Sequence, residues 1–153
     1  MAELRAHPAC VLAFYTSMRE SNALPAVLKI TGGEAVEIYD RDYNRADSEG
    51  AQDWDTMRDL DRIWQTGGKS GFGFDAASTV MVDDTVRKMR HMPGNLVLVP
   101  EFKDAAHAKD LSMPALTAYL LNLLNTFEAA TAAASGGGAD VRDLLADKPF
   151  VFP

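Results

Sequence analysis

Thr79-Val80-Met81-Val82-Asp83-Asp84 is an apolar, β-branched run that ends in two carboxylates. A strand apolar at nearly every position is covered on both faces, as parallel strands are. Working outward, Cys10-Val11-Leu12-Ala13-Phe14-Tyr15 has the same character and ends in Thr16-Ser17, while Ala35–Tyr39 and Leu96–Val99 supply two further short strands. Helical patterns alternate with them. The first spans Asn22–Ile30, with Ser21 or Asn22 as cap and Gly32-Gly33 as stop. A second follows Asp55 and sets Met57, Leu60, Ile63 and Trp64 on one face. A short basic helix is expected over Thr85–Met92, before the Pro93-Gly94 turn. A long helix from Pro114 to about Ala133 carries Met113, Leu116, Leu120, Leu123 and Phe127 as a buried stripe. A terminal helix near Asp140–Ala146 follows the Ser135–Gly138 break. Strands alternating with helices predict an α/β domain, a mostly parallel sheet sandwiched by helices.

The chain has 153 residues, 47% of them hydrophobic and 24% charged. That length fits one domain with a real core, and the composition excludes a disordered tail or a disulfide-stapled scaffold. No internal repeat or second domain is evident. The single Cys10 cannot form an internal disulfide. The N-terminus lacks the apolar segment of a signal peptide, so an intracellular setting, in cytoplasm, nucleus or organelle, is expected. No apolar run reaches the ~18 residues of a membrane span; Leu116–Leu124 is broken by Thr117 and Asn122.

Charge is uneven. Between Glu34 and Asp61 lie ten acids and three bases, which account for the whole formal net charge of −7. An acidic chain repels nucleic acid on average, so no direct nucleic-acid partner is expected. The window reads as a solvated acidic loop and helix face, with Asp40–Asp53 as loop.

Several motifs fail on inspection. Gly67-Gly68-Lys69-Ser70 looks like the end of a phosphate-binding Walker loop, but the pattern's first glycine falls at Ile63 and the segment follows a helix. It reads as a flexible loop. Asp40-x-Asp42-x-Asn44 starts like a calcium loop, yet Arg45 stands where glycine is required and Ala51 where the closing glutamate should be. His7, His91 and His107 have no metal-ligand spacing and read as surface residues. Trp54 and Trp64 read as packing residues.

One constellation remains. Ligands of open α/β sheets bind at the carboxyl ends of strands, where Thr16-Ser17 and Asp83-Asp84 both stand. Paired carboxylates suit a hard divalent cation such as Mg²⁺, which also bridges to phosphate oxygens. A hydroxyl can donate to a phosphoryl oxygen, and Arg58 is the best-placed cation to neutralise a transferring group.

Phe14-Tyr15-Thr16-Ser17, the segment Met57-Arg58-Asp59-Leu60-x-x-Ile63-Trp64, and Ser78 through Lys88 occur in an order that resembles the haloacid dehalogenase superfamily. The nearest branch is the NLI-interacting-factor-like group, homologues of the phosphatases acting on the RNA polymerase II C-terminal domain. Residues 93–100, the long helix and Val141 to Phe150 fit that group's ending, so the likeness spans roughly residues 9–150. The resemblance implies that Thr16 is the hydroxyl that holds the phosphoryl group, with Ser17 beside it. It implies that Asp83 and Asp84 order the Mg²⁺ site, Asp84 as direct ligand. Arg58 stands where the family offers lysine; the charge is kept and the compact ammonium geometry is not.

The family's centre is a DxDx[TV] motif upstream of Thr16, whose first Asp is the nucleophile and second the general acid/base. Only nine residues precede the first strand, none an Asp. Asp40-Arg41-Asp42-Tyr43-Asn44 follows Thr16 and lies only 43 residues before Asp83, too few for the elements required between. Because the family's sheet order is 5-4-1-2-3, the missing strand is the central one. Two pairs are then expected, Cys10–Tyr15 with Ala35–Tyr39 and Thr79–Val82 with Leu96–Val99. Strands sit about 4.8 Å apart, and each buried orphan backbone group costs ~1–3 kcal/mol against a stability of ~5–15 kcal/mol. A further stretch of the protein, another chain, or a local segment such as Phe150-Val151-Phe152 is expected to complete the sheet.

Two functions stay open. One is a non-catalytic relative, a binding or structural subunit of a larger assembly in which no metal is needed. The other is the metal- and phosphate-binding part of a Mg²⁺-dependent phosphoprotein phosphatase, completed by upstream sequence or a partner chain.

Overall fold

The computed structural model describes residues 2–34, 36–101, 112–134 and 136–152. In chain order the elements are α1 (Ala2–Ala6), β1 (Ala13–Tyr15), α2 (Glu20–Thr31), β2 (Glu37–Tyr39), β3 (Arg45–Ala46), β4 (Thr56–Met57), α3 (Leu60–Trp64), β5 (Met81–Asp83), β6 (Leu96–Leu98), α4 (Ser112–Ala133) and α5 (Val141–Asp147). The chain is thus mixed α/β. Its contacts fall into two compact units, a middle unit of residues 11–75 and a terminal unit of residues 1–10 with 76–153.

In the middle unit β1 and β2 run parallel, with Ala13 opposite Glu37, Phe14 opposite Ile38 and Tyr15 opposite Tyr39. α2 closes one face of this ladder by packing Ala23 and Val27 on Ile38, with Phe14 and Val36 beside them. Gly32 ends α2 as anticipated, at φ +70°, where a side chain would be strained. The other end differs from expectation. Arg19 is the N-cap and makes no side-chain cap bond; instead the Glu20 N–H donates to Asp40 Oδ2 at 3.0 Å, a carboxylate arriving from the end of β2.

The stretch after β2 is more structured than a loop. Arg41–Tyr43 form a 3-10 turn capped by Asp40, and β3 pairs antiparallel with β4. That pairing overrides the helical pattern read from Asp55: Thr56-Met57 is extended, and the helix is only Leu60–Trp64. Nor is the acidic window uniformly solvated, because Glu37, Asp47 and Asp59 are buried. Trp54, expected to pack, is 76% exposed.

In the terminal unit β5 and β6 run parallel, Met81 opposite Leu96, Val82 opposite Val97 and Asp83 opposite Leu98. Val97 is buried against Leu116 and Leu123 of α4 and Val141 and Leu145 of α5. Asn95 is buried and spends its amide on the carbonyls of Ala76 (2.7 Å) and Thr79 (2.8 Å), which fixes the approach to β5. The terminal helix is present as α5, and Asp140, expected as its first residue, is its N-cap and accepts the Arg142 N–H. The α4 stripe is one residue shorter than expected, since Met113 is exposed while Leu120 and Phe127 pack partly buried. The segment after Thr85 is a 3-10 turn, Val86–Met89, rather than a helix to Met92. His7 is half-buried, its Nε2 3.5 Å from Glu128, and His91 is exposed; His107 lies outside the described residues, as do Ala35 and Ser135.

Both anticipated parallel pairs are therefore present, each a two-stranded ladder among the described residues. The strands are shorter than read, because pairing begins only where both backbones are in register. Phe150-Val151-Phe152 completes neither ladder: Phe150 packs on Tyr119 with ring centroids 5.2 Å apart, and Val151 and Phe152 are exposed.

Candidate functional site

β1 delivers Tyr15, Thr16 and Ser17 in succession. The Thr16 N–H donates to the Tyr39 carbonyl at 2.8 Å and extends the ladder one step beyond Tyr15. The Thr16 hydroxyl then accepts the Met18 N–H at 3.1 Å, a tight turn that ends the strand. A hydroxyl accepting such a bond can still donate its proton.

Arg58 reaches this turn from the segment between β4 and α3. Its Nη1 donates to the Ser17 hydroxyl at 3.2 Å, and its guanidinium carbon lies 4.8 Å from the centroid of the Tyr15 ring. Arg58 is only 9% exposed, so this charge sits largely out of water, where it attracts an anion more strongly. The backbone carrying it is tied to the same tyrosine: the Tyr15 hydroxyl accepts the Asp59 N–H at 3.0 Å and donates to the Tyr43 carbonyl at 2.6 Å. Burial raises the Tyr15 phenol above its ordinary value, with smaller opposing effects from Asp59's hydrogen bond and the Arg58 charge. Ser17 and Arg58 are thus brought together, with Thr16 adjacent in the chain.

Asp40, whose spacing to Asp42 invited a catalytic or calcium reading, has a structural task. Its two carboxylate oxygens accept the N–H groups of Asp42 and Glu20, holding a turn and a helix start.

In the terminal unit, Asp83 is the last residue of β5 and is buried, while Asp84 is exposed. Thr85 holds both. Its N–H donates to Asp83 Oδ1 at 2.9 Å and its hydroxyl to Asp84 Oδ1 at 2.7 Å. The Thr85 hydroxyl is the main reason the Asp84 carboxyl titrates below its ordinary value; Asp83 and the Lys88 charge push the same way, against slight burial. Among the described residues no three His, Cys, Asp or Glu side chains gather around one point. Carboxylates are hard oxygen donors of the kind Mg²⁺ takes, an ion that usually keeps several waters and is bound through one or two carboxylates together with phosphate.

A third cluster escaped the sequence reading. The Gly67–Gly73 loop is folded on Glu37, which is only 8% exposed. Lys69 N–H donates to Glu37 Oε2 at 3.3 Å, and Ser70 N–H and the Tyr39 hydroxyl also bond the carboxylate. Burial alone would raise Glu37; these bonds outweigh it and hold the carboxyl below its ordinary value. Tyr39 is correspondingly raised, by burial first and by the bond to Glu37 second. Lys69 Nζ pairs with Glu20 at 2.8 Å and bonds the Ile38 carbonyl. The loop is an anion nest filled by the chain's own carboxylate. Two signals bear on it: polar Glu37 and Tyr39 share one face of β2, and the glycines at 67 and 68 have φ of +68° and +91°.

Among the described residues no helix is long and apolar enough to cross a membrane. The family profile described as NLI interacting factor-like phosphatase matches residues 4–131, which takes in Thr16, Ser17, Arg58, Asp83 and Asp84 and ends within α4. No curated protein matches the chain.

Proposed function

We propose that this chain, which belongs to the NLI interacting factor-like phosphatase family, is a phosphatase-homology domain working as a non-catalytic binding subunit of a larger assembly. Its recognition element in this reading is a seat for a phosphoryl-type oxyanion made by Thr16, Ser17 and Arg58. The observation that carries the reading is the buried Arg58 guanidinium on the Ser17 hydroxyl at the carboxyl end of β1. A planar guanidinium with two neighbouring hydroxyls suits a tetrahedral dianion. No DxDx[TV] motif occurs in the 153 residues, and Asp40, the first carboxylate of Asp40-Arg41-Asp42-Tyr43-Asn44, caps backbone. Holding a phosphoryl group without a nucleophile to take it is recognition, not turnover.

A haloacid-dehalogenase-like sandwich lacking its central strand is the architecture this reading invokes. Each parallel ladder has two strands among the described residues, so each offers an edge on which another strand could pair. A partner chain, or a further segment of the same protein, is the proposed source of that strand.

A second reading is favoured by Asp83-Asp84-Thr85. The two carboxylates would hold Mg²⁺, and the ion would withdraw charge from a phosphoryl oxygen. With a nucleophile-bearing strand supplied from elsewhere, the domain would then be the binding part of a Mg²⁺-dependent phosphoprotein phosphatase.

Titration of the chain with inorganic phosphate, alone and with Mg²⁺, and a hydrolysis assay on p-nitrophenyl phosphate separate the two. Binding without turnover supports the first; turnover abolished by Asp84→Ala establishes the second. Absence of phosphate binding removes the proposed seat.

A further inference from the structure

We propose that Tyr15 is the positioning residue of the oxyanion seat, the group that sets Arg58 in place before a ligand arrives; the assignment rests on reading Thr16, Ser17 and Arg58 as that seat. One side chain fixes both ends of the arginine. The ring lies under the guanidinium at 4.8 Å, within the range where a cation is attracted by the aromatic face. The hydroxyl meanwhile accepts a hydrogen bond from the N–H of Asp59, the residue next to Arg58, and donates one to the Tyr43 carbonyl. The backbone on the carboxyl side of Arg58 and its head group are therefore referred to a single residue of β1, the strand that also leads directly into Thr16 and Ser17.

Arginine is long and loses much rotamer freedom when it binds. A guanidinium already held on a ring and directed at Ser17 loses less at the moment of binding, which is preorganisation of the seat. Tyrosine is suited to the task in a way that leucine or phenylalanine is not: leucine offers no aromatic face, and phenylalanine no hydroxyl to bond the Asp59 N–H. The ligand class that follows is a phosphate dianion, since a fork fixed in one plane beside hydroxyl donors matches two oxygens of a tetrahedral anion.

The test is a double-mutant cycle on the whole chain with inorganic phosphate as probe. Tyr15→Leu is expected to weaken phosphate binding about tenfold. Tyr15→Leu with Arg58→Gln should bind no more weakly than Arg58→Gln alone, because the tyrosine acts only through the arginine. Additive losses would overturn the proposal. Tyr15→Phe keeps the ring and should lose only about threefold, with faster amide exchange at Asp59; if Tyr15→Leu does not fold, no change in either quantity for Tyr15→Phe is the contradicting result. Should the unaltered chain bind no phosphate, the seat itself fails, and the positioning of Arg58 is read independently from its side-chain NMR signals. Those signals are expected to carry the ring-current shift of Tyr15, retained in Tyr15→Phe and lost in Tyr15→Leu. Arg58 signals identical in all three proteins would overturn the proposal.

Discussion

Arg58 Nη1 and the Ser17 hydroxyl stand 3.2 Å apart, joining residues separated by 41 positions in sequence. The contact places a buried positive charge at the end of a parallel strand, beside two hydroxyl-bearing residues. A buried guanidinium attracts an oxyanion in a medium of lower effective dielectric than water. Arg58→Lys keeps the charge but removes the planar fork, and is expected to weaken inorganic phosphate binding by about three- to tenfold in a calorimetric titration. Equal affinity would mean that charge alone, not fork geometry, holds the anion.

The Glu37 nest predicts an acid-sensitive stability. Hydrogen bonds hold the folded carboxyl below its unfolded value, so the stabilisation is complete above the unfolded carboxyl value of about 4.3 and is lost as pH falls through the lower folded value. Glu37→Gln turns an amide donor toward the N–H groups of Lys69 and Ser70, at a loss of about 1–3 kcal/mol. Urea unfolding of both proteins between pH 7 and 3 measures this. The variant should begin less stable and fall less steeply with acid; parallel curves would remove Glu37 from the account.

Gly68 is the residue that lets the loop close on Glu37. Its φ is +91°, and a Cβ there would lie 2.6 Å from the Phe74 ring and 2.9 Å from the Tyr39 hydroxyl. Gly68→Ala should destabilise the chain by about 2 kcal/mol or more, combining left-handed strain with overpacking. A thermal midpoint equal to that of the parent would show that the loop does not adopt this course in solution.

The Asp83–Asp84 pair predicts a weak site for a hard cation. Mn²⁺, read by electron paramagnetic resonance as a stand-in for Mg²⁺, should bind, and Asp84→Asn should weaken it about tenfold by removing one charged oxygen donor. Unchanged Mn²⁺ affinity in the variant would dismiss the pair as a cation site.

How much of this was readable beforehand follows the range of each interaction. Gly32 as the stop of α2, a terminal helix near Asp140 and Asp83-Asp84 at the end of β5 are local features, and the sequence announces them within a few residues. The four apolar runs near residues 13, 37, 81 and 96 are legible in the sequence, and their pairing follows from the sheet order that the family resemblance implies. Thr56-Met57 carries a helical pattern but is extended, because its form depends on Arg45-Ala46, a partner no periodicity reveals. The Glu37 nest was missed for the same reason: its donors lie 32 and 33 residues away. Arg58 is marked in the sequence by charge and motif order alone; its seat on Tyr15 depends on the fold.

The most direct measurement of the central claim is hydrolysis of p-nitrophenyl phosphate by the 153-residue chain in Mg²⁺, run beside phosphate binding. The account predicts saturable phosphate binding that Arg58→Gln impairs, with no turnover above the rate without protein. Turnover that disappears in Asp84→Ala would contradict it and make the chain an enzyme.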